Sequence, residues 1–136
     1  MRTLLFRGLM DLGISIEQGV MQPVAWPVIE TDTASGWDAE NKRFVVPESL
    51  VARQLEVVAK VRTTTNGDQT QFMAGQLIVG EVRANIAFNP DKAGIALVSP
   101  LENAEQGAVV QLTLQDNSGA SQLEAGSLLE VWDVTE

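Results

Sequence analysis

The sequence predicts an all-β fold, an antiparallel β-sandwich or jelly roll, with an extended N-terminal arm as one reading of its first residues. Two observations carry this reading: apolar residues recur at every second position through much of the chain, and turn-forming residues interrupt it at nearly even intervals. The 136 residues, 45% of them hydrophobic, suffice for one domain with a core of its own.

The first twenty or so residues stand apart. Leu4, Leu5, Phe6, Leu9, Met10 and Leu12 are too apolar for a solvated tail, yet they match neither the helical nor the strand period. Two readings are open for residues 1–21: a first strand or short helix tucked onto the domain, or an arm that packs on a neighbour, with the sandwich proper running over residues 22–136. On the arm reading Leu4, Leu5, Phe6, Leu9, Met10 and Trp26 make the contact, and removing residues 1–13 leaves a folded domain.

Further along, Arg53-Gln-Leu-Glu-Val-Val-Ala-Lys-Val-Arg62 puts Leu55, Val57, Ala59 and Val61 on one face of a strand. Gln54, Glu56, Lys60 and Arg62 fall on the other, with Val58 the exception. Gly75-Gln-Leu-Ile-Val-Gly80 and the run to Phe88 supply two more strands, the second setting Val82, Ala84, Ile86 and Phe88 against Glu81, Arg83 and Asn85. A short run follows over residues 94–98. Val110, Leu112 and Leu114 then alternate with Gln111, Thr113 and Gln115, and Leu129 and Val131 with Glu130 and Trp132. Turns are expected at 34–36, 65–68, 89–91, 105–107, 116–119 and 124–126, where Gly, Asn, Asp and Ser cluster.

Composition excludes much chemistry. Eighteen acidic against nine basic residues give a formal charge of −9, which repels phosphate backbones and anionic lipid, so neither nucleic acid nor membrane is an expected partner. The chain has no cysteine and no histidine, which removes the thiolate nucleophile, sulfur-ligated zinc, and the commonest general base and metal ligand. No serine has a Lys partner in Ser-x-x-Lys spacing, and Gly75-Gln-Leu-Ile-Val-Gly80 lacks the Lys and hydroxyl of a phosphate loop. Asp32, Asp38 and Glu40 match no calcium-loop spacing. They read as solvated loop acids, and Asp116, Glu124, Glu130, Asp133 and Glu136 as solubility charges. No enzyme, metal or cofactor is expected. Arg7 and Asp11 interrupt the N-terminal apolar run too early for an export signal, and no stretch of about 18 apolar residues is long enough for a membrane helix.

Three tryptophans are the aromatic signal. Trp26 lies between Pro23 and Pro27 in an extended segment and closes the sandwich or meets a neighbour, while Trp132 sits on the polar register of the last strand. Trp37 follows Gly36; packing is one reading and a stacking platform for sugar the other.

The stretch from Asp32 to Pro47 is the most informative. Trp37-Asp38, a polar turn over Ala39 to Arg43, and Phe44-Val-Val-Pro47 resemble the early hairpin of complement-type globular heads and tumour-necrosis-factor-like jelly rolls. Phe44 and Val46 share a strand face, and Pro47 ends the pairing because it has no N–H. Gly126-Ser-Leu-Leu-Glu-Val-Trp-Asp-Val134 is similar to the closing strand of that fold. The resemblance implies a jelly roll over residues 22–136 and a self-associating chain, a homotrimer with a dimer as the alternative. Without cysteine or a collagen-like stalk, it is most similar to the accessory virion proteins of tailed bacteriophages. The implied role is a non-enzymatic decoration or cement protein on a capsid surface, assembled in the host cytoplasm, with the major capsid protein as partner and residues 1–30 as its clamp. The alternative is a glycan- or receptor-binding module at a fibre or tail tip, with Trp37 on the ligand.

Overall fold

The computed structural model describes residues 2–16, 19–65, 73–88, 95–116 and 121–136, so the turns expected at 65–68, 89–91 and 116–119 lie largely outside the described residues. In chain order the strands are β1 (Thr3–Leu9), β2 (Ile14–Ser15), β3 (Gln22–Pro23), β4 (Val28–Asp32), β5 (Trp37–Asp38), β6 (Arg43–Val45) and β7 (Leu55–Val61). After them come β8 (Thr63–Thr65), β9 (Met73–Val79), β10 (Val82–Phe88), β11 (Ile95–Leu101), β12 (Val109–Asp116), β13 (Ser121–Leu123) and β14 (Leu128–Asp133).

Two antiparallel sheets make the sandwich. One has the order β11-β7-β14-β1-β4 and the other β10-β9-β12-β6-β5, with β3 also on β12; β2, β13 and β8 form a small third sheet. The order is far from the chain order, so neighbours such as β1 and β14 come from opposite ends of the sequence. Val134 N–H donating to Gln54 O and Met10 N–H donating to Ser127 O tie those ends down.

Strand alternation decides what enters the core. Leu55, Val57, Ala59 and Val61 of β7 are buried, and the ladder sets Leu129 against Ala59 and Val131 against Val57. Leu77 and Val79 of β9 and Val110, Leu112 and Leu114 of β12 face them from the second sheet. Phe44 packs beside Phe6 with ring centroids 5.4 Å apart. Each fully buried side chain of this size contributes about 1.5–3 kcal/mol.

The N-terminal segment differs from the arm expectation. β1 is an interior strand held between β14 and β4, and Leu5, Phe6, Met10 and Trp26 are buried in the chain's own core. These four side chains are therefore unavailable to a partner, and deleting residues 1–13 removes an interior strand instead of a clamp. Burial outweighs the irregular period: Phe6 is 0% exposed and lies under Trp37 at 5.2 Å. Gly8 lets β1 pass beneath Trp26, since a Cβ there would stand 2.8 Å from the indole Cγ.

Candidate interaction face

With the odd residues of β7 in the core, its even residues point outward, and the ladders extend that outer face across all five strands. Three rows result. Pro100, Glu56, Trp132 and Leu4 form the first; Val98, Val58, Glu130 and Arg7 the second; Ala96, Lys60, Leu128 and Leu9 the third. Val28 pairs with Leu9 at the β4 edge. An antiparallel sheet with one face in the core normally turns polar residues to water on the other. Here most positions are apolar, and Val98 is 64% exposed.

The charges on this face neutralise one another. Arg7 donates from Nε to Glu130 Oε2 at 2.6 Å and from Nη1 to Glu30 Oε1 at 2.8 Å. Trp132 Nε1 donates to the other Glu130 oxygen at 3.4 Å. The Glu130 side chain is only 10% exposed and that of Arg7 28%. Charge-assisted hydrogen bonds contribute about 1.5–3 kcal/mol; partial exposure of Arg7 puts these in the lower half of that range. Hydrogen bonds to Glu30 and then Glu130 hold the Arg7 guanidinium above its ordinary pKa. Beside this cluster, Arg2 pairs with Glu56 at 2.7 Å and lies 4.8 Å over the Trp132 ring. Glu130, expected as a solubility charge, is instead a nearly buried ion-pair partner.

Of the residues singled out in the sequence, Leu4 and Leu9 reach this face and Trp132 joins them, while Leu5, Phe6, Met10 and Trp26 do not. Trp37 is half-buried on the core side, with one face of its ring stacked on Phe6, so that face is closed to a sugar. Its loop is held by Asp32, whose carboxylate accepts the Gly36 and Trp37 N–H groups. Sequence reasoning missed Arg7, Glu30, Val58 and Val98 as site residues; Val58 breaking the alternation of its strand was the one local signal. Among the described residues no cluster of acidic side chains could hold a metal ion, and no helix is long and apolar enough to cross a membrane.

No family model matches the sequence, and no curated protein does. Solved structures do match, at full length and low identity. The globular domain of zebrafish complement 1qA protein superposes with a TM-score of 0.64 at 11% identity, over 96% of this chain and 97% of that one. The PRD1 vertex protein P5 gives 0.61 at 11% identity, over 100% of this chain and 74% of that one. Murine APRIL gives 0.59 at 11% identity, over 98% and 100%. Over 96–100% of its length, therefore, the chain superposes on the jelly-roll fold shared by complement globular heads and tumour-necrosis-factor-like proteins.

Proposed function

We propose that this chain is a non-enzymatic structural protein of a virion, a capsid decoration or cement protein that works as a homo-oligomer. The observation that carries the reading is the outer face of the five-stranded sheet. Along it Arg7 pairs with Glu30 and Glu130 and Arg2 with Glu56, with Lys60 in the next row, so carboxylates do not dominate there, whereas the chain as a whole carries −9. Two copies that meet through this face bring charges of both signs together, away from the acids that carry the net charge. Five strands about 4.8 Å apart and roughly seven residues long tile on the order of 500 Å2. Covering that area on two copies removes about 1,000 Å2 from water, the lower end of what a specific interface needs. The likeness to a PRD1 vertex protein supports a place in a virion. Through repeated copies, modest contacts to the major capsid protein multiply by effective concentration.

The test is absolute mass by light scattering across a hundredfold dilution, on the wild-type chain and on Val98→Glu. This face meeting its own copy closes a two-fold dimer, whereas a trimer of 14.7 kDa chains, which the resemblance implies, sets it against a different patch of the neighbour; either closed assembly supports the reading. Val98→Glu, which alters an exposed side chain, raises the dissociation midpoint by about tenfold or more by setting an unpaired charge in the contact. A 14.7 kDa species at every concentration overturns the reading.

A further inference from the structure

We propose that β10 is an open sheet edge that accepts an extended, basic segment of another polypeptide as an added strand. Among the described residues, besides the two-residue β3 on β12, four strands end the two sheets: β4 and β11 in one, β5 and β10 in the other. Proteins blunt such edges because unpaired N–H and C=O groups template pairing with other chains. Three of the four are blunted here. β5 has two residues, β11 carries Pro100, and the ladder of β4 on β1 is interrupted by a register shift at Arg7/Gly8. β10 has none of these devices. Its seven residues pair with β9 without a break, from Val82 opposite Val79 to Phe88 opposite Met73, and among the described residues nothing pairs its other side.

The turn into β10 fixes which backbone groups are free. Gly80, at φ +62, opens a two-residue hairpin turn closed by Val79 and Val82. The closing pair is hydrogen-bonded, and the pattern alternates along the ladder, so the backbone groups of Arg83 and Asn85 face away from β9. A groove of about 980 Å3 runs beside this end of the strand, with Val82, Leu101 and Val109 in its lining. An added strand reaches it with the side chains at its end beside Val82 and Arg83.

Charge selects the occupant. Glu81, Glu102 and Glu105 line the groove, and none has an ion-pair partner among the described residues. Of the two cations in the lining, Arg43 lies 3.6 Å from Asp38 and is already balanced, which leaves Arg83 against three glutamates. A second copy of this acidic chain is a poor match; a strand alternating basic and apolar residues complements both the glutamates and the apolar floor.

The test uses the full chain and fluorescence anisotropy of labelled peptides long enough to span β10. One alternates lysine and valine, one glutamate and valine, and one is the basic peptide N-methylated on the edge that would face β10. Saturable binding of the basic peptide is expected, about tenfold or more tighter than the acidic one and weakened about tenfold by N-methylation. Asn85→Pro removes an outward N–H while leaving the backbone ladder to β9; because it also gives up the hydrogen bond that Gln76 Nε2 donates to Asn85 Oδ1, it is compared with Asn85→Ala, which loses that bond alone, and lowers affinity by a similar factor relative to it. Equal binding of the N-methylated peptide overturns strand addition whether or not Asn85→Pro folds. Equal binding of the acidic peptide overturns the basic partner, and absence of saturable binding overturns the site.

Discussion

Phe6→Ala separates a core strand from a docking arm, and the structure sets the size of the effect. Phe6 is fully buried, stacks on Trp37 at 5.2 Å and tilts against Phe44 at 5.4 Å. Removing a buried phenylalanine costs about 3–5 kcal/mol, combining lost transfer energy with the cavity left behind. Two lost aromatic pairs place this substitution toward the upper end. Against a total stability of about 5–15 kcal/mol, that is a large fraction. Urea denaturation followed by tryptophan fluorescence measures it, with Leu4→Ala as the control, since Leu4 lies two positions away but on the outer face. Phe6→Ala should move the midpoint strongly at constant slope and Leu4→Ala only slightly. A Phe6→Ala chain within about 0.5 kcal/mol of wild type refutes the burial argument.

Two further outcomes follow from the same geometry. Gly8→Ala sets a methyl 2.8 Å from Trp26, so overpacking should cost about 1–3 kcal/mol, and calorimetry should show part of that loss recovered when Trp26→Phe is added. Asp133 gives a pH dependence. Burial works to raise its carboxyl, but the Thr135 hydroxyl and N–H donated to it and the Arg53 charge hold it below its ordinary 3.8. A carboxyl depressed in the folded state stabilises above its unfolded pKa, and that contribution is lost as pH falls through the folded value. Asp133→Asn should therefore lower the thermal midpoint at neutral pH and converge on wild type as pH falls below the folded value; a constant gap at all pH values rules the ionised form out as the cause.

The sheets were legible in the sequence wherever one face is wet and the strand regular. Leu55, Val57, Ala59 and Val61 alternate because the partner strands keep the same period, so a local pattern reports a global face. The outer face was not legible. Arg7 and Glu130 stand opposite each other in the ladder yet are 123 positions apart in the chain, and no local window holds both. Glu130 falls at a polar position of its strand, as its neighbours indicate; what buries it is the pairing of the two ends. Packing and a stacking platform both stayed open for Trp37 because its contact, Phe6, lies in the segment whose period was hardest to read.

That difficulty has a structural cause. The β1–β14 register shifts between Leu4 and Phe6, so one extra residue enters β1 at Leu5. Strict alternation from an outward Leu4 would turn Phe6 to solvent and Arg7 into the core; the bulge reverses both, sending Phe6 inward to Phe44 and Trp37 and Arg7 outward to Glu130. A second shift, opposite Arg7 and Gly8, leaves Glu30 unpaired between Thr31 and Ile29, and its carboxylate reaches the same guanidinium. Two one-residue insertions thus assemble the core aromatic cluster on one side of β1 and a charge-neutral outer face on the other. The broken period that made residues 3–9 resemble an unpaired arm is the feature that commits them to the sheet.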